Sequence, residues 1–396
     1  MPRPSISALT ENHKVVLPDA SQLVSASLLQ LMRSPANKTH VLVAIIVINL
    51  LVFLAMLAAG SGLWHTAHGI PLAWGANFGP ATQDGQWWRL VTAMFVHFGL
   101  LHLVMNLWAL WDVGRLLERL YGSWRLAAMY LGCGVFGNCV SLVIHGNEAV
   151  SGGASGAIFG LYGALIIFLW RERSQIELTE YRWLFGGTLI FTLLILGVGF
   201  AVPGIDNAAH AGGLFAGTLA GTFMGRPWTS QSPAVKARGM AGFAFALALG
   251  ALFWRLPEPA YRFSEEVRAQ GAISEFLISD YQIEQEWQGL LSPQKGGSGS
   301  FEQLAGGIDR QIVAGYERSF ERLLDASPSS EVPSATRLAQ LQIYARLRAE
   351  AAKELAEGLR ERDTQKIKEA VEQARDAAAK AKNPGDVPNT ESPSSR

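Results

Sequence analysis

The sequence predicts an all-α membrane protein: a polytopic bundle of seven transmembrane helices followed by a C-terminal soluble helical region. Three observations predict it. Hydrophobic residues make up 49% of the 396 and charged residues 17%, and mean hydropathy is +0.18. A positive average over so long a chain signals membrane spans. Seven apolar runs approach the roughly 20 residues a bilayer core requires. After residue 256 the chain turns polar and charged, with no further run of that kind. Net charge is zero, which argues against a nucleic-acid partner.

The segment 1–40 is polar and proline-bearing. It lacks the basic start and apolar core of a signal peptide and is expected to be cytoplasmic. The membrane domain is expected over 41–256. Its first span is "VLVAIIVINLLVFLAMLAAGSGL" from Val41. The second covers about Leu100–Leu120, and the third is "LAAMYLGCGVFGNCVSLVI" from Leu126. The fourth covers about Gly153–Trp170, and the fifth is "WLFGGTLIFTLLILGVGF" from Trp183. The sixth covers about Asn207–Met224, and a shorter seventh starts at Met240. Cys133 and Cys139 lie six apart in one apolar run and share no helix face, so they read as free small apolar residues.

Loop cations set the orientation. Arg33 and Lys38 precede span one. Arg115, Arg119 and Arg125 surround the joint of spans two and three, and Arg171, Arg173 and Arg182 that of four and five. Arg226, Lys236 and Arg238 lie between six and seven. The alternate joints "HGNEAVSGG" and "AVPGID" carry no Lys or Arg, and the long first loop only Arg89. The N-terminus is therefore expected in the cytoplasm, and seven spans put the C-terminus outside.

Pro257 and Pro259 end the last span. An extracytoplasmic, largely helical region is expected over 257–382, with breaks at "SPQKGGSGS" and "SPSSEVPSAT". Two helices are expected from Thr336 to about Lys382, joined near Asp363-Thr364. Leu338, Leu341, Leu355 and Leu359 supply a partial apolar stripe. The tail 383–396 reads as disordered.

This topology brings polar side chains of three spans to a similar depth below the outer face. Ser155 opens span four, His210 lies one turn into span six, and His97, His102 and Asn106 lie near the start of span two. Ionisable groups inside spans are costly and point to function. A lone serine among glycines is more often packing, or bonds to its own backbone. The glycine spacing carries the functional reading. Gly152, Gly156 and Gly160 repeat every four residues in span four, as do Gly213, Gly217 and Gly221 in span six. Such stripes let helices approach closely. Close approach brings the Ser155 hydroxyl within reach of the His210 imidazole, the base a serine nucleophile needs.

These residues also resemble a family. "GASG" at Gly153–Gly156, "AHAGGLFAG" at Ala209–Gly217 and "HFGLLHLVMN" at His97–Asn106 are similar to motifs of the rhomboid intramembrane serine proteases. "WWRLVTAMFVH" from Trp87 and "ERLYGS" from Glu118 resemble the segments that flank their second helix. The likeness covers about Ala73–Met224, and the seventh span matches the bacterial six-plus-one variant. The resemblance implies a Ser155–His210 dyad without cofactor or metal. It implies an oxyanion pair in His102 and Asn106, and supporting roles for Gly153, Gly156, Gly213 and Gly217. His97 is structural on this reading, and Phe159 stands where many members carry a tyrosine packed on the histidine. It implies single-span membrane substrates cut near the outer face, in the lipid bilayer of the bacterial cytoplasmic membrane. Asp206 or Asn207 is expected to cap span six rather than complete a triad. A zinc protease is disfavoured, because no acidic residue lies between His97 and His102. A transporter would show inverted repeats, which are not evident. The alternative is a catalytically inactive rhomboid-like protein that binds membrane clients; such relatives typically lack the serine or the histidine, and both are present here.

Overall fold

A computed structural model describes residues 39–66, 69–225, 235–291 and 300–382. The expectations for the N-terminal segment, the tail from 383, most of "SPQKGGSGS", and Arg33, Lys38 and Arg226 lie outside the described residues. The chain divides into two compact units, Met1–Thr82 with Trp87–Pro257, and Gln83–Gln86 with Glu258–Arg396. Among the described residues there is no strand, only an isolated antiparallel bridge between Asn77 and Ser151.

The first unit opens with α1, His40–Ala58. Its leading N–H groups have no acceptor within their own helix. Glu118 supplies one from the next span: the N–H groups of Val41 and Leu42 donate to its carboxylate at 3.0 and 2.9 Å. The Ser123 hydroxyl donates to the same carboxylate at 2.6 Å. The apolar run continues to Leu63, but the helix stops at Ala58, and Gly60 follows at φ +92°. The loop beyond forms helical turns at Gly69–Ala73, Gly79–Gln83, Arg89–Thr92 and Ala93–Phe95. Arg89 is buried there and donates to the carbonyls of Leu72 and Ala76 at 2.6 and 2.9 Å. This cation is a structural brace of the loop.

Six further helices complete the unit: α2 Leu100–Tyr121, α3 Ser123–His145, α4 Ser155–Glu172, α5 Leu178–Ala201, α6 Asn207–Met224 and α7 Val235–Arg255. Among the described residues six helices, α1 to α5 and α7, are long and apolar enough to cross a membrane. α6 forms on the expected residues, but its glycines and polar side chains leave it short of that measure. Its packing explains why. Ala209, His210, Gly212, Gly213, Ala216, Gly217, Ala220 and Gly221 are buried against α4 and α3. A helix that faces protein rather than lipid is free to be small and polar. α4 is the central helix, with 72% of its apolar window buried, against 17% for α5 and 6% for α7. Cys133 and Cys139 are both buried free thiols.

The second unit is more extensively helical than its hydropathy suggests. α8, Phe263–Leu291, lies in the region expected to be largely helical, in a stretch where the sequence delimits no individual helix. Ala269, Phe276 and Ile283 recur every seven residues along it and are buried, a seam hidden among charges. α9, Phe301–Gly307, starts at a capping box between Ser300 and Gln303. A π-helical segment, Ile308–Val313, leads into α10, Ala314–Asp325. α11, Ala335–Glu361, and α12, Thr364–Lys382, meet where expected, at a left-handed Arg362 (φ +57°). Leu338, Leu341 and Leu359 are buried in a core with Ile312, Tyr316 and Leu323, and Leu355 packs against it.

Candidate active site

Ser155 is the first residue of α4. The chain reaches it through Ser151, whose N–H and carbonyl both pair with Asn77 at 2.8 Å, and Gly153, whose N–H donates to the Ala93 carbonyl at 2.8 Å. Gly153 adopts φ +125°, a left-handed conformation that side chains disfavour. Any Cβ there would also sit 2.8 Å from the His102 ring. Glycine is therefore required twice at this position. Ala154 precedes the helix and offers no side-chain cap. The first N–H groups of α4, Ser155's among them, lack intrahelical acceptors and form the positive end of the helix dipole.

His210 sits in the first turn of α6 and is buried. Its Nε2 lies 2.8 Å from the Ser155 hydroxyl oxygen. Phe159, one turn below Ser155, stacks on the imidazole with ring centroids 4.4 Å apart and planes at 14°. Stacking and the serine contact together fix the ring plane. No carboxylate bonds Nδ1 of His210 among the described residues. Asp206 instead caps α6, accepting from the Ala209 N–H at 2.9 Å, while Asn207 donates to the Leu196 carbonyl of α5. Among the described residues the His210 ring therefore meets one hydroxyl, that of Ser155, and no carboxylate.

The separation is set by backbone. Gly213 packs on the carbonyl of Gly156, Gly217 on that of Gly160, and Gly221 on Ala164. Gly152, read as part of the same stripe, lies before the helix and packs on Val96, Phe98 and Ala93 instead. The left-handed turn at Gly153 delays the helix start past it.

The α2 groups adjoin Gly153. The N–H of Phe98 faces Nδ1 of His102 at 3.5 Å. With Nδ1 accepting, Nε2 carries the proton and is the nitrogen nearest Gly153. Asn106, buried one turn on, donates one amide hydrogen to the His102 carbonyl at 2.9 Å, leaving a second for another acceptor. His97 is fully buried, bonds the Phe95 carbonyl at 3.2 Å through Nδ1, and lies 5.0 Å from the His102 ring, which it buttresses. Ser155, His210, Phe159, Gly153, His102, Asn106 and His97 thus lie in one linked set of contacts, and Gly156, Gly213 and Gly217 in the α4–α6 contact. Sequence reasoning did not single out Ser141 and Ser151. Both hydroxyls donate to Asp206 at 2.5 Å. Only the position of Ser151, just ahead of "GGASG", hinted at it.

The rhomboid domain family model matches residues 84–227. Rhomboid protease GluP of Bacillus subtilis is 35% identical over 244 residues, covering 61% of this chain and 46% of that protein. RHOMBOID-like protein 5 of Arabidopsis thaliana is 38% identical over 141 residues, covering 35% of this chain and 44% of that protein. The chain thus spans less than half the length of these two relatives. Putative rhomboid protease YdcA of Bacillus subtilis is 36% identical over 147 residues, which make up 37% of this chain and 70% of that protein. With six helices long and apolar enough to span a bilayer, a matching domain and a relative covered over most of its length, this chain is an integral membrane protein and belongs to the rhomboid family.

Proposed function

We propose that the protein is an intramembrane serine endopeptidase that cleaves single-span membrane proteins near the outer membrane face. The single observation that carries the reading is the 2.8 Å separation of the Ser155 Oγ and the His210 Nε2. In this mechanism the Ser155 hydroxyl attacks the scissile carbonyl carbon as its proton passes to His210 Nε2. The developing oxyanion is met by the Ser155 N–H at the uncapped start of α4, by His102 Nε2–H and by the free amide hydrogen of Asn106. His210 then protonates the leaving amine, and water repeats the sequence to release the acyl group. A substrate helix hides its carbonyls in its own hydrogen bonds, so it must unwind locally before attack.

The loop charges support a cytoplasmic N-terminus, the 257–382 region outside, and residence in a bacterial cytoplasmic membrane. The test is labelling of the purified protein by a serine-directed fluorophosphonate. Labelling that disappears in Ser155→Ala and in His210→Ala is the expected result. A parent protein that resists the reagent while folded would instead be an inactive relative that binds membrane clients.

A further inference from the structure

The Asp206 carboxylate gathers donors from three separate places. One oxygen accepts the Ala209 N–H at 2.9 Å, next to His210 in the first turn of α6. The other accepts the Ser141 hydroxyl from α3 and the Ser151 hydroxyl from the loop four residues ahead of Ser155, both at 2.5 Å. The His145 ring lies 3.5 Å from the first oxygen. Capping alone uses one of these contacts. A cap to Ala209 needs one oxygen, and serine or asparagine supplies it equally well. The second oxygen, holding two hydroxyls 55 and 65 residues away, needs another explanation.

We infer that Asp206 is a positioning residue that locks the serine-bearing loop to the histidine-bearing helix, an inference that rests on the proposed dyad. The glycine contacts set how closely α4 and α6 approach, and the Tyr121 hydroxyl, 3.4 and 3.1 Å from the Ala164 and Gly221 carbonyls, ties the two helices at the end away from Ser155. Nothing in a backbone-on-backbone stripe marks an axial position. A two-oxygen acceptor with one bond to each dyad-bearing segment does mark it. Its bond to Ser151 fixes the loop that places Ser155, and its bond to Ala209 fixes the turn that places His210. The Ser141 bond anchors both to α3. Asp206 makes no hydrogen bond to the Ser155 hydroxyl or the imidazole, so the inferred effect is one of orientation, to be told apart from that of its charge by the asparagine variant below. Misplacement by about 1 Å costs on the order of 10² in rate.

The test measures fluorophosphonate labelling as separate maximal rate and half-saturation terms, alongside thermal unfolding in detergent. Asp206→Ser keeps the cap but is too short to reach Ser141 and Ser151. The Ser141→Ala, Ser151→Ala pair keeps cap and charge and removes the ties. Both should lower the maximal labelling rate about 10- to 100-fold with the half-saturation concentration unchanged. Asp206→Asn keeps the cap and still meets both hydroxyls, which rotate to accept from its amide. It should rescue the rate to within a few fold of the parent. An indifferent Asp206→Ser overturns the inference and leaves the dyad standing. Asp206→Asn as impaired as Asp206→Ser also overturns it, because charge rather than connection then matters. Equal loss of rate and unfolding midpoint in the serine pair would reduce Asp206 to a fold residue. A parent protein that is not labelled overturns the dyad reading itself.

Discussion

Replacing Gly213 with alanine tests whether backbone contact sets the catalytic distance. A Cβ at Gly213 would overlap the Gly156 carbonyl oxygen and lie 2.8 Å from its carbonyl carbon, where ordinary contact begins near 3.4 Å. Bringing the carbon to ordinary contact moves the helices about 0.6 Å apart, and bringing the oxygen only to the 3.0 Å below which Cβ atoms are not found raises this to roughly 1 Å. No flexible side chain stands in the way to absorb the shift. Gly213 is three residues from His210, so the imidazole moves with it. The 2.8 Å contact to Ser155 then opens to about 3.8 Å, outside hydrogen-bonding range. A loss of about 10²-fold in cleavage follows, or about 2.7 kcal/mol of transition-state stabilisation. The assay is cleavage of a single-span test substrate in liposomes, with Gly186→Ala in α5 as the control. A Cβ at Gly186 has nothing within 4 Å, so that variant should match the parent. A Gly213→Ala protein that cleaves at the parent rate refutes the argument, since the helices would then have a spare ångström between them.

Other outcomes follow from the same geometry. Asn106→Ala should lower kcat by roughly 10²–10³ with KM little changed, as loss of one oxyanion donor does; steady-state kinetics decide, and a pure KM effect makes Asn106 a binding residue. A reporter active only in the cytoplasm, fused after Lys382, should be silent; activity there shows that α7 does not cross. Substituting leucine for the helix-weakening residues near a substrate's outer boundary should suppress cleavage at that bond, and undiminished cutting would exclude unwinding as the selecting step. In the second unit, the Ser329 N–H and hydroxyl hold the Glu265 carboxyl below its ordinary range. That contribution is complete above the ordinary carboxylate pKa and is lost as pH falls through the lowered value. Protection of the Ser329 amide, its exchange rate taken relative to the intrinsic rate at each pH, should therefore fall only in acid, and protection unchanged through the carboxylate range would contradict it.

The legible part of this molecule is what repeats. Apolar runs of spanning length announced α1 to α5 and α7, because lipid imposes one composition on any helix it touches. The glycine stripes announced the α4–α6 contact, since small residues at a fixed spacing have few other uses there. The motif residues around Ser155 and His210 could be gathered once orientation was read from loop charges. What escaped depends on long-range pairing. The bonds of Asp206 to Ser141 and Ser151 reach across 65 and 55 residues, and no local pattern encodes them. Gly152 fits the stripe by spacing, yet the backbone turn at Gly153 takes it out of the helix. The bounds of α8, inside a region expected to be largely helical, were not legible because its seam is narrow. One buried residue in seven, set among glutamates and arginines, is enough when a helix lies in a soluble core and too little to raise its average hydropathy.

The bond between Glu118 and the start of α1 also has a bearing on how the bundle is made. α1 leaves the ribosome first, but the carboxylate that receives its leading N–H groups is synthesised 76 and 77 residues later. Until then those groups must be satisfied by water at the membrane surface. The first span can thus enter the bilayer early, yet its seat forms only when the turn joining α2 and α3 has been completed, with Ser123 bonded to the same carboxylate. Order of synthesis and order of docking are therefore reversed for this helix. A chain truncated before residue 118 would hold an inserted α1 with nowhere to rest.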